Sequence, residues 1–173
     1  QNAEIPRHRV GQVMVQVSKY LVDFRGDLHG AHPILTRAIL VLSSELGPAH
    51  PETLRAHVER LYAKRIEIQT EALWRRAKRE PVFWDGTEAD KIPTEAELNL
   101  FKLLLRAERA EDTAVSAIKA MTTAVNYVGF LLDADKFEDA FAVLQGELDI
   151  LAADKAAGKP RHLEQEYQVI QTF

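Results

Sequence analysis

TTAVNYVGFLLDADKFEDAFAVLQGELDILAAD, residues 122–154, decides the fold. Two apolar-periodic runs flank the polar break Asp133-Ala134-Asp135-Lys136. Val125, Val128, Leu131 and Leu132 share one side of the first run. Phe137, Ala140, Phe141, Leu144, Leu148 and Leu151 do the same in the second. Spacings of three and four place each set along one face of an α-helix. A break this short folds the two helices back to back as an αα-hairpin. The small Ala140 and Gly146 are expected to let the two backbones approach closely.

Upstream, the same period recurs. Residues 1–8 are polar, hold Pro6, and read as an arm. Val10, Val13, Met14, Val17, Leu21 and Phe24 predict a first helix with this set as its core stripe, ending near Arg25. Gly26 and Gly30 mark a loop, and Pro33 is expected to open helix two, since proline suits the first helical position. Ile34, Leu35, Ala38, Ile39, Leu42 and Leu46 make that helix apolar over much of its circumference, and Gly47-Pro48 stops it. Pro51 opens a long helix three, to about Arg79. Thr94 with Glu97 is a capping-box pattern before Leu98, Phe101, Leu104 and Leu105 of helix four. Helix five is expected over 111–133 and helix six from Phe137 to about Asp154. In the tail, 156–173, Leu163, Tyr167, Ile170 and Phe173 are spaced for one short amphipathic helix. No strand pattern of convincing length appears. The expected fold class is all-α: six to seven helices stacked as antiparallel hairpins in a single domain, 1–173.

Composition bounds the function. A chain of 173 residues with 46% apolar and 28% charged residues is an ordinary globular one, large enough for a continuous core. The net charge of -4 argues against a strongly basic nucleic-acid footprint. There are no cysteines, which excludes disulfides and thiolate metal sites. No apolar run is expected to approach the roughly 20 residues of a membrane span. His29 and His32 sit three apart near Asp27, but a metal site needs further ligands, and solvated loop histidines are the plainer reading. Glu-x-x-His pairs, phosphate-binding glycine loops and Gly-x-Ser-x-Gly are absent. The chain is therefore expected to be no enzyme and to carry no cofactor or metal.

The residues left over point to contacts. Trp74-Arg75-Arg76-Ala77-Lys78-Arg79 is the strongest electrostatic feature. It suits a protein contact, a solvated helix end or, less well, nucleic acid. Trp84 suits an interface anchor as well as it suits packing over the chain's own core. The tail residues Leu163, Tyr167, Ile170 and Phe173 are too few for a helix stable alone. They pack on a partner or on the last hairpin, and the hinge-like 156–160 before them favours the partner. Candidate partner contacts are thus Trp84, Leu163, Tyr167, Ile170, Phe173, Arg75, Arg76 and Arg79.

The segment Val125-Asn126-Tyr127, then Leu131-Leu132, then Lys136-Phe137-Glu138-Asp139-Ala140, resembles a pentatricopeptide or tetratricopeptide hairpin, and residues 46–54 resemble the linker between such hairpins. Over most of its length the chain is similar to the small extra F1 subunit of euglenozoan mitochondrial ATP synthase. Ile39-Leu40-Val41-Leu42 with Glu52-Thr53-Leu54, the hairpin around Asp135-Lys136-Phe137, and Asp154-Lys155-Ala156-Ala157-Gly158-Lys159 with Leu163-Glu164-Gln165 carry the likeness. The loop 81–93 has no counterpart in it. The resemblance implies a non-catalytic structural subunit on the outer face of the F1 α subunit, on the matrix side of the inner membrane. The start at Gln1 without Met fits a removed targeting segment or a trimmed start, of which the resemblance implies a removed presequence; it also implies that the partners are protein subunits, without membrane insertion. An organellar RNA-binding helical-repeat protein is the alternative; such proteins read one base per repeat over several repeats, whereas this chain has room for about three, of which one or two look regular, and its acidic balance disfavours RNA further.

Overall fold

The computed structural model describes residues 5–78, 93–111 and 113–158. The protein is all-α, and the described residues form six helices and no strand. These are α1 (Arg7–Tyr20), α2 (Leu28–Leu46), α3 (Pro51–Ala77), α4 (Glu95–Ala110), α5 (Ala114–Asp133) and α6 (Phe137–Ala156). They fall into two compact units, Gln1–Lys91 and Ile92–Phe173. In each unit the middle helix packs against both of its neighbours in sequence, α2 between α1 and α3, and α5 between α4 and α6.

In the first unit, α1 continues as a π-helical turn over Leu21–Arg25, and Gly26 closes it at φ 61°. Helix α2 opens at Leu28, five residues before the expected Pro33, which lies inside it. The reason is Asp27, whose carboxylate accepts the Gly30 N–H at 2.8 Å and caps the helix ahead of the proline. Gly30 is therefore in the first turn of α2 and not in a loop. The core joins Val15, Ala38, Ile39, Leu42 and Ala56 at one end and Val22, Ala31, Leu35 and Ala63 at the other. Thr53, fully buried, donates its hydroxyl to the Gly47 carbonyl at 2.9 Å and fixes the α2–α3 turn. Two polar contacts lace the helices to α3: the ion pair of Lys19 with Glu59 at 3.7 Å, and the hydrogen bond between His32 Nε2 and Glu67 at 3.2 Å. Burial pushes the Glu59 carboxyl above its ordinary range, with Lys19 opposing.

The expected stripe of helix one is corrected. The face of α1 that meets the core carries Gly11, Val15, Ser18 and Val22. Val10, Val13, Val17 and Phe24 point outward, and only Met14 and Leu21 of the expected set are partly buried. Small residues on the true inner face let the α1 and α2 backbones close up. A Cβ on Gly11 would lie 2.7 Å from Leu42 Cγ.

In the second unit, both N-termini are capped reciprocally. Thr94 and Glu97 form the expected capping box on α4. Thr113 and Ser116 form another on α5, which starts at Ala114 and not at Glu111 because Thr113 takes the cap. The α5–α6 hairpin turns where expected. Asp135 adopts φ 55°, its N–H donates to the Leu132 carbonyl at 3.1 Å, and that of Lys136 to Leu131 at 2.9 Å. That pair of bonds is a Schellman closure, which satisfies two carbonyls at the end of α5. Phe101, Leu98, Leu104, Leu131 and Val128 are fully buried, and Phe101 stacks on Tyr127 at 5.5 Å. The expectation that no apolar run approaches a membrane span is corrected: helix α5 has the length and apolarity of one over Val115–Asp133, because it is the central packed helix of this unit.

Two expectations for α6 change. Ala140 and Leu144 face α5, but Phe137 and Phe141 are 59% and 60% exposed. Gly146 does not serve close approach either: a Cβ there would meet nothing within 4 Å. Arg75 and Arg76 lie on α3, with side chains outside the description. Arg79, Trp84, Leu163, Tyr167, Ile170 and Phe173 lie outside the described residues altogether.

Candidate partner-binding groove

The two outer helices of the second unit, α4 and α6, lie across α5 and leave a cleft of ≈ 440 Å³ between them. Helix α4 lines it with Lys102, Leu105, Arg106 and Arg109. Tyr127 contributes from α5, and Asp139, Ala142, Val143 and Gly146 line it from α6. The spacing of Lys102, Arg106 and Arg109 sets three cations down one side of α4, because its other side is committed to the core through Leu98, Phe101 and Leu104. Small Ala142 and Gly146 on the opposite wall keep the cleft open.

Ion pairs hold the two walls together. Arg109 of α4 bonds to Glu147 of α6, a residue only 3% exposed. Burial raises the Glu147 pKa, and the Arg109 guanidinium works against that rise. At the other end Lys136, in the α5–α6 turn, bonds to Glu95 in the first turn of α4. That bond and the Lys136 charge lower the Glu95 pKa. Between α4 and α5, Glu108 is fully buried and accepts the Thr123 hydroxyl at 2.7 Å. The Tyr127 phenol is pushed up to about 12, chiefly by burial and then by the charges of Asp139 and Glu95, so it stays protonated. Tyr127 is a neutral residue, and the charge available to a ligand sits on the wall.

Comparison with known proteins finds no match: no family model, no curated protein and no solved structure is similar to this chain. The groove is therefore read from its own chemistry. Among the described residues, Lys102 and Arg106 enter no ion pair, while Arg109 is taken by Glu147. These two cations, Lys102 acting at longer range on Glu95, outnumber the one carboxylate of the lining, Asp139, and beside Leu105, Val143 and Ala142 they suit a segment that presents carboxylates and small apolar groups. Among the described residues, no group of three or more His, Asp and Glu is placed to hold a metal.

The side chains of the partner contacts expected from sequence, Trp84, Leu163, Tyr167, Ile170, Phe173, Arg75, Arg76 and Arg79, all lie outside the described residues. In the sequence, Lys102, Arg106 and Arg109 look like ordinary solvated positions on an amphipathic helix, so no local signal marks the groove. Glu108 and Glu147 did carry a signal. Leu98, Phe101, Leu104, Leu105 and Glu108 form one continuous stripe, as do Ala140, Leu144 and Glu147. A carboxylate in a core stripe announces a buried polar contact.

Proposed function

We propose that the chain is a non-catalytic structural subunit that binds protein partners within a larger assembly. On the resemblance set out above, that assembly is a mitochondrial ATP synthase, with the chain on the outer face of the F1 α subunit and on the matrix side of the inner membrane. One observation carries the partner-binding reading: both units leave large apolar side chains open to solvent on helices whose other faces are already packed. Val13, Tyr20 and Phe24 stand out on the first unit, and Phe137 and Phe141 on the second. Contiguous exposed apolar surface of this kind marks interaction sites. The two units of paired helices offer extended faces and a groove, which suits an adaptor.

The test is affinity purification of the native protein with its partners identified by mass spectrometry. The proposal expects the F1 α subunit in stoichiometric amount. Recovery of the chain alone, or with organellar RNA as its main companion, would overturn it and in the second case promote the RNA-binding alternative.

A further inference from the structure

We infer that the outer face of α1 is a docking seam for an amphipathic helix of a partner protein whose apolar stripe is bordered by carboxylates. This rests on the reading of the chain as a partner-binding subunit and adds the surface and the chemistry of what meets it. Val10, Val13, Val17, Tyr20 and Phe24 follow one another at intervals of three, four, three and four. That alternation is the seam of a coiled coil, which fits another helix. All five are exposed, Val13 at 61%, Tyr20 at 54% and Phe24 at 77%. The rings of Tyr20 and Phe24 stack at 5.5 Å, making one aromatic anchor at the end of the stripe. Among the described residues nothing covers this face, because α1 and the turn that continues it pack on α2 through Gly11, Val15, Ser18 and Val22. The seam runs about four helical turns, roughly 21 Å at 1.5 Å per residue, enough for a helix-in-groove contact.

Charge selects the partner. The exposed ionic residues along this segment are Arg7, Arg9, Lys19 and Arg25 against the single carboxylate Asp23, in a chain whose net charge is -4. Lys19 is shared with Glu59, which leaves the three arginines without an ion pair among the described residues. A second copy of the chain would bring the same basic surface against itself, so like charges oppose that occupant. A helix with Glu or Asp at the positions flanking its stripe meets both the apolar seam and the arginines.

The experiment uses the full chain and two synthetic amphipathic helices of the same leucine stripe, one flanked by Glu and one by Lys. Binding is read by fluorescence anisotropy. The Glu-flanked helix is expected to bind at least 10-fold more tightly than the Lys-flanked one, and the double variant Val13→Glu/Tyr20→Glu to weaken it at least 10-fold with its helical circular dichroism intact. Equal affinity for both helices, or no effect of the double variant, overturns the inference. So does a concentration-dependent dimer that the double variant abolishes, since the occupant is then a second copy. The same variant separates this inference from the proposed function. If the wild-type chain recovers the F1 α subunit and the variant recovers as much, the seam fails and the subunit reading stands. If the wild type recovers no assembly, the subunit reading fails whatever the peptides do.

Discussion

Gly11 and Leu42 meet so closely that no side chain fits between them: a Cβ on Gly11 would lie 2.7 Å from Leu42 Cγ and 2.9 Å from its Cδ2. This approach sets how deeply α1 seats on α2, and so leaves the opposite face of α1 in solvent. Leu42 is itself fully buried and belongs to the core that Val15, Ala38 and Ala56 complete. It has little room to move aside.

Glycine-to-alanine substitutions at two helical positions should therefore act with opposite sign. Gly11→Ala gains about 1 kcal/mol of helix propensity but forces overpacking that costs about 1–3 kcal/mol, a net loss of about 1 kcal/mol. Gly146→Ala meets nothing within 4 Å and should gain up to about 1 kcal/mol from propensity alone. Urea denaturation of the two variants beside the wild type checks this. A stabilised Gly11→Ala protein would show that α1 does not seat as described.

The Arg109–Glu147 pair predicts a pH-dependent variant. Replacing Arg109 by Met leaves a buried carboxylate without its cation, at a cost of about 2 kcal/mol at pH 7. The Glu147 pKa is already raised by burial, and without Arg109 it rises further. A carboxyl raised in the folded state binds its proton more readily there than in the unfolded chain. Stability is then retained below the unfolded value near 4.5 and lost as pH climbs through the folded one. The penalty of Arg109→Met should accordingly shrink to under about 1 kcal/mol at pH 5. Denaturant melts at both pH values read the difference, and an equal penalty at both would mean that Glu147 is not the group left stranded.

Much of this architecture was legible. The hairpin at 133–136 follows from a polar break between two periodic runs, and the Thr94–Glu97 box stands in the sequence as it stands in the fold. The misreadings have a common cause. Helix α1 is apolar over more than half its circumference, so periodicity alone could not say which apolar side turns inward. The all-valine stripe Val10, Val13 and Val17 resembles a core, whereas close helix packing selects the face where the small Gly11 and Ser18 flank Val15. Phe137 and Phe141 were misplaced in the same way, while Ala140 took the buried position. The groove was illegible because a cation's neighbours across space, such as Glu147 for Arg109, lie 38 positions away in sequence.

Charge reversal in the groove tests whether it binds a partner. Lys102→Glu with Arg106→Glu removes two cations that have no ion-pair partner among the described residues. Stability should change by less than about 0.5 kcal/mol per site, as for ordinary surface substitutions. Association with the assembly should weaken about 10-fold or more, in line with the loss of charge-assisted contacts. A pull-down beside a thermal melt on the same double variant measures both, and undiminished association removes the groove from the docking surface.

The central claim, that this chain is a protein-bound subunit of the ATP synthase, is met most directly by gradient sedimentation of a mitochondrial detergent extract with and without ribonuclease. The account predicts that the chain migrates with the F1 α subunit in both gradients. Migration at the size of the free chain, or a shift to smaller size on ribonuclease treatment, would contradict it.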